Sequence, residues 1–259
     1  MDVSLALGSG AARGLAHIGV LKVFEENGIT VREIAGTSIG SIIGGLYSQG
    51  YSAVEMEKIA LENSIFDYIR MADFQVPPSS AMLKGKKVQS YIETLFGDKT
   101  FADTKIPFKA VATNILNGKE TVFNSGKLSD VIMCSISIPG IFPPFEYQGT
   151  YFVDGALTNP VPIDILELKN TIKVGVDVTP KHIYHDKEDI KSLMKTSNIL
   201  MQSFAIMEDN IVERKMGNFD NIVIIKPVFD KPILYHFHKA KYFISKGEEA
   251  TRKILDYIV

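Results

Sequence analysis

The chain of 259 residues is poor in several things, and each shortage narrows what it can be. It has a single cysteine, Cys134. No internal disulfide can staple it, and a lone thiol fits a reducing compartment. Cys134 lies in the apolar helical run "SDVIMCSISIPG", where a small buried hydrophobe is a better reading than a catalytic thiol. Charge of one sign is scarce too: the net charge is −2 and the lysines are scattered. Without a basic stripe, nucleic acid is a poor partner. No window approaches about 20 uninterrupted apolar residues, so no transmembrane helix is expected. The N-terminus lacks the basic start of a secretory leader, since Asp2 is acidic and Arg13 and His17 interrupt its apolar run. Repeats, low-complexity tracts and linkers are missing as well. The expectation is one cytoplasmic domain over residues 1–259.

What is present is ordinary globular material, 46% hydrophobic and 22% charged, enough for a packed core. Val3 to Leu7 reads as a short buried strand, followed by a turn of glycine and alanine from Gly8 to Gly14. Leu15, Ile18, Leu21, Val23 and Phe24 then recur at helical spacing, with Asn27-Gly28 as the stop. Val31 to Ala35 returns as a strand and leads through Gly36 to Gly40 into a second helix ending near Gly50. Ser52 with Glu55 makes a capping box for a third helix to about Glu62. This strand-helix alternation predicts a parallel sheet covered by helices. Further on, the pattern predicts a helix over Lys87–Phe96, a strand over Phe108–Ile115 and a hairpin turn at Asn117-Gly118. Lys127–Ile136 reads as helix, Tyr151–Val153 and Thr171–Val178 as strands. Asn198–Met216 reads as a long helix, Ile222–Lys226 as a strand and Lys239–Tyr257 as a closing helix.

Two strand-loop-helix junctions stand out. In "IAGTSIGS", Ser38 sits between Gly36 and Gly40. A serine hydroxyl is a weak nucleophile unless a base takes its proton and the developing oxyanion is stabilised. Glycines flank such a serine because the strand-to-helix turn is tight, and the hydroxyl then projects clear of the sheet. The alternative is an accidental turn. The upstream loop "GSGAARG" reads as a plain glycine turn, as a dinucleotide loop or as an oxyanion hole. Arg13 stands where the third dinucleotide glycine belongs, and no Gly-Lys-Ser/Thr follows. Gly10 and Ala11 would let backbone N–H groups approach negative charge closely. Two adjacent parallel strands would bring this loop beside Ser38.

None of the five histidines stands out as a base, and His182 and His185 form only a bare H-x-x-H. His17 is better read as packed or capping. His182 and His185 lie in a charged segment without further ligands for a metal, and His236 and His238 precede the last helix. Asp154, in "TYFVDGALTNPVP", ends a short strand just before Gly155, where Asp-Gly is either a turn dipeptide or a delivered carboxylate.

Taken together, "GSGAARG", "GTSIGS", "SISIPGIFPPF" and "VDGALTNPVP", in that order, resemble the patatin-like phospholipases, and among them the compact bacterial proteins. The resemblance implies a three-layer α/β/α fold with a mainly parallel central sheet. The catalytic core would cover about 3–168, and residues 169–259 would complete it with strand and helix. It implies a lipid acyl hydrolase with a Ser-Asp dyad and no catalytic histidine, Ser38 as nucleophile and Asp154 as base. Gly10 and Ala11 would supply oxyanion N–H groups, and Arg13 would anchor the loop or an anionic head group. Gly8, Gly14, Gly36, Gly40 and Gly155 are the motif glycines. No metal and no cofactor are implied. The partner would be a phospholipid or other fatty-acyl ester, with transient membrane-surface contact and a homo-oligomer left open. The chain departs from the family in placing Ser9, Ala11 and Ala12 where many members run glycines. An aspartate near its ordinary pKa of ~3.9 is a poor base at neutral pH, and partial burial would raise it. Ser64 to Lys84 carries many apolar residues, Phe74, Met82 and Leu83 among them, and reads equally as a lid over the acyl chain or as core. Two other readings remain: an α/β-hydrolase with a Ser-Asp-His triad, and a non-catalytic lipid-binding or regulatory scaffold.

Overall fold

The structure, a computed structural model, describes residues 1–62, 78–179, 196–216, 222–229 and 237–257. Its spine is an eight-stranded sheet. Strand β1 (Asp2–Leu7) lies between β2 (Thr30–Thr37) and β7 (Ile172–Val176), parallel to both. The parallel set continues to β3 (Phe108–Asn114) beside β2 and to β8 (Ile222–Ile225) beside β7. Three antiparallel strands finish one side: β4 (Lys119–Phe123), β5 (Phe145–Tyr147) and β6 (Thr150–Asp154).

The pairing around β3 positions the chemistry. Strand β4 runs along residues 110–114 on one edge of β3. The opposite edge is shared. Strand β2 pairs with 108–111 from below, ending with Thr37 opposite Val111. Strand β6 pairs with 112–114 from above, ending with Asp154 opposite Ala112. Since β2 is parallel and β6 antiparallel to β3, their C-terminal ends meet head-on at adjacent residues of one strand.

Side chains alternate across the sheet, as the period of two requires. On one face Val3, Leu5, Leu7 and Ile34 pack with α1 (Ala16–Glu26), α2 (Ile39–Gln49), α3 (Ala53–Glu62), α4 (Pro78–Phe96), α5 (Leu128–Ile136) and α7 (Ala240–Lys253) in the main core. On the other, the small Ala6 and Ala35 accept Val161, Ile163 and Leu166, and with them Val212 of α6 (Thr196–Met216). The result is a three-layer α/β/α arrangement with a mainly parallel sheet. Lys215 ties the C-terminal end of α6 down, its Nζ 2.7 Å from Asp164 and 3.4 Å from Glu120.

Local signals explain most boundaries. Ser52 and Glu55 form the reciprocal capping box that starts α3, and Gly50 ends α2 in a left-handed conformation. Helix α4 begins at Pro78, nine residues before the expected Lys87. Proline is well placed in a first helical turn, where its missing N–H costs nothing. Strand β5 went unread because three residues give no period to detect.

Candidate active site

Ser38 leaves β2 with φ 56° and ψ −125°, a conformation costly for a residue with a Cβ. The surroundings hold it there. Its N–H donates to Ser135 Oγ at 2.9 Å, and Ser135 in turn donates to the Val111 carbonyl. Its carbonyl accepts from both the N–H and the hydroxyl of Ser41. The flanking glycines are steric necessities. A Cβ on Gly36 would lie 2.5 Å from the Gly40 carbonyl oxygen, and one on Gly40 would lie 2.1 Å from the Leu7 carbonyl oxygen. Both obstacles are backbone and cannot swing aside. Gly40→Ala is therefore expected to cost about 3 kcal/mol or more, a fall in Tm on the order of 10 °C in a chain this size. A calorimetric Tm within 2 °C of wild type would show that the elbow is not packed this tightly.

Asp154 arrives from the other direction on β6. Its Oδ2 accepts the Ser38 hydroxyl at 2.6 Å and its Oδ1 accepts the Ala156 N–H at 2.9 Å. Its backbone is pinned by Ser137 and Thr113. Gly155 permits the turn that follows, because a Cβ there would meet the Val111 carbonyl at 2.2 Å. The Ser38 and Asp154 side chains are both buried. Burial pushes the Asp154 carboxyl up to about 7, against the opposing hydrogen bonds from Ser38 and Ala156. A carboxyl held there is half-ionised at neutral pH, which suits a group that must accept and return a proton.

The Gly8–Gly14 loop lies over the same cavity. Gly8 and Ser9 N–H groups bond the carbonyls of Val176 and Pro160. The N–H groups of Gly10 and Ala11, which line the cavity with Ser38, find no acceptor among the described residues. Ala11 adopts φ 49° there. Behind the loop, His17 is fully buried with Nε2 2.8 Å from the Gly8 carbonyl. Burial pulls its pKa down to about 4, so the ring is neutral and donates from Nε2. Gly14 lets Ile39, the residue after the serine, pack against the loop. Arg13 does not line the Ser38 cavity. It is buried, donates from Nη1 to the Thr179 carbonyl at 3.3 Å and stacks over Phe229. Desolvation lowers its pKa to about 10. It faces a separate hollow with Asp177 and Lys226, and geometrically it ties the loop to the segment after β7.

The remaining cavity wall is largely apolar: Ile138 and Pro139 just after α5, Ala156 and Leu157 just after β6, then Met201, Phe204 and Ala205 from α6. Glu208, also from α6, is the exception. Phe74 lies outside the described residues. Met82 and Leu83 fall on α4, with side chains outside the described part. Cys134 is buried on α5, its thiol pushed up by desolvation.

The sequence pattern of the patatin-like phospholipases matches residues 5–167. The chain belongs to the patatin-like phospholipase family. Among curated relatives, an uncharacterized NTE family protein of Mycobacterium tuberculosis (strain H37Rv) is 35% identical over 163 residues, which is 62% of this chain and 44% of that protein. A lysophospholipase NTE1 of Yarrowia lipolytica is 32% identical over 179 residues, 68% of this chain and 12% of that protein. The chain thus spans less than half the length of these relatives. VipD from Legionella pneumophila shares the fold, with TM-score 0.56 at 13% identity, over 99% of this chain and 67% of that one.

The patatin-like match ends before α6, so the wall formed by Met201, Phe204 and Glu208 lies outside it. That wall was also missed in the sequence. The run "LMQSFAIMEDN" is apolar on more than one helical face, so periodicity singles out no inward side. Ser135 was missed because a serine supporting the elbow from a different helix has no local signature.

Proposed function

We propose that this patatin-like chain is a serine carboxylic-ester hydrolase acting on lipid acyl esters, phospholipid or lysophospholipid, through a Ser38–Asp154 dyad. The observation that carries the reading is the 2.6 Å hydrogen bond from Ser38 Oγ to Asp154 Oδ2 beneath a loop with free N–H groups. The lysophospholipase name of the Yarrowia relative supports the substrate class.

In this reading Ser38 Oγ attacks the ester carbonyl carbon while its proton passes to Asp154 Oδ2. The N–H groups of Gly10 and Ala11 receive the oxyanion, where preorganised donors act best. As the tetrahedral species collapses, Asp154 returns the proton to the departing alcohol and an acyl-Ser38 remains. Water then attacks the acyl carbon, giving its proton to Asp154. The second collapse restores the Ser38 hydroxyl and frees the fatty acid. The acyl chain lies against Ile138, Leu157 and Phe204. Each step uses groups of the chain and calls on no cofactor. Asp154 must be ionised to begin, so kcat/KM should rise through pH about 7. Among the described residues no helix is long and apolar enough to cross a membrane.

The test is a hydrolysis panel of phospholipids, lysophospholipids and triglycerides, together with labelling by a serine-directed fluorophosphonate. Hydrolysis of at least one acyl ester and a single label mapped to Ser38 are expected. A folded chain that neither hydrolyses nor labels would support a non-catalytic lipid-binding scaffold instead.

A further inference from the structure

Glu208 stands in the cavity of the dyad, and the steps above give it no part. It interrupts an apolar helix face, since Met201, Phe204 and Ala205 are its neighbours on the cavity side of α6. Packing does not explain an acid there, because burying a carboxyl costs free energy unless a partner offsets it. Its Oε2 lies 3.4 Å from the hydroxyl of Ser9, the residue that leads into Gly10 and Ala11. Only Asp154, at the end of β6, shares the cavity with it; the charges of Asp177 after β7, itself paired with Lys226 at 3.0 Å, and of Arg13 reach it from the separate hollow beyond the glycine loop. Two of these are acids, and Arg13 is already engaged with Thr179 and Phe229. Glu208 thus looks across the cavity at the place where the reaction develops negative charge.

We propose that Glu208 is a positioning and selectivity residue for this ester hydrolysis: as a neutral acid it steadies the Ser9–Ala11 loop and leaves the dyad the only negative charge in the cavity, and as a carboxylate it opposes the oxyanion and any anionic acyl ligand. The proposal rests on the esterase reading for its catalytic half. Glu208 is only partly buried, yet desolvation in the cavity, and next the charge of Asp154, push its carboxyl up to about 8, so the neutral form predominates at pH 7. The two acids are coupled, and the alkaline limb belongs to the pair rather than to one residue.

Glu208→Gln keeps the size and hydrogen bonding of the side chain but cannot ionise. With p-nitrophenyl butyrate, wild-type kcat/KM should rise through pH about 7 and fall above about 8. E208Q should keep the first limb and lose the second, reaching roughly tenfold the wild-type value at pH 9. Decanoate binding, read by calorimetry, should weaken between pH 7 and 9 in both proteins as Asp154 ionises, but about tenfold further in wild type than in E208Q. The binding arm does not require turnover. If wild type hydrolyses no ester but the decanoate difference appears, the esterase reading fails and the selectivity role of Glu208 stands. Overlapping pH profiles and overlapping decanoate binding in two folded proteins overturn the role of Glu208 and leave the esterase intact. Failure of decanoate to bind either protein at any pH also counts against it.

Discussion

Ser38→Ala should bring ester turnover down by three or more orders of magnitude and end fluorophosphonate labelling, with the fold unchanged. The acyl-enzyme path needs the Oγ atom, and among the described residues lining the cavity the only other hydroxyl is that of Ser9, whose bond to Glu208, at 3.4 Å, is much longer than the 2.6 Å from Ser38 to Asp154. Alanine accepts the φ of 56° no worse than serine, so the backbone penalty is the same in both proteins. The double variant Ser38→Ala/Asp154→Asn should be no slower than either single one. Residues that act as a unit lose their joint effect at the first deletion. Additive losses, measured as kcat/KM on one ester, would mean that Asp154 contributes by a separate route.

Asp154→Asn should abolish the proposed ester hydrolysis and stabilise the protein at the same time, over a definable pH range. The folded chain holds this carboxyl at about 7, whereas its ordinary value is 3.8. Between those values the folded state keeps a proton that the unfolded chain has released. The stability contributed by that proton is complete below pH about 4 and is lost as pH rises through 7. One such group gives a slope of roughly 1.4 kcal/mol per pH unit, or about 3–5 °C in Tm per unit for a chain of this length. Wild-type Tm should therefore fall between pH 5 and 8. Asp154→Asn should fall less steeply and melt higher at pH 8. A residual slope of the same sign should remain, because the Glu208 carboxyl is also held high. Parallel Tm curves for the two proteins from pH 5 to 8 would show that Asp154 is not buried at this cost.

The tight turn at Ser38 was legible because its geometry constrains composition. A backbone turn that admits no Cβ at Gly36 or Gly40 must be written in glycine, and glycine is visible in a sequence. Capping at Ser52 and the Asn117-Gly118 turn were readable for the same reason, each being a local device. Asp154 was readable only as part of a family pattern, since it sits 116 positions from its partner and the contact depends on where β6 pairs. The wall from α6 and the orientation of Arg13 were not legible. Which face of an evenly apolar helix turns inward, and which way a long side chain runs from a loop, are settled by tertiary packing. The lid reading of 64–84 falls largely outside the described residues.

The head-on meeting of β2 and β6 along one edge of β3 makes that strand a ruler. Ser38 and Asp154 are set by adjacent rungs, Val111 and Ala112, and not by the lengths of chain that connect them. A slip of β6 by one rung would carry Asp154 about 3.4 Å along β3 and turn its side chain to the opposite face. By contrast, lengthening the connections, at the exposed Asn117-Gly118 turn for example, leaves the ruler untouched. Such a scaffold can acquire inserted segments during divergence while the Ser38 and Asp154 side-chain oxygens keep their distance.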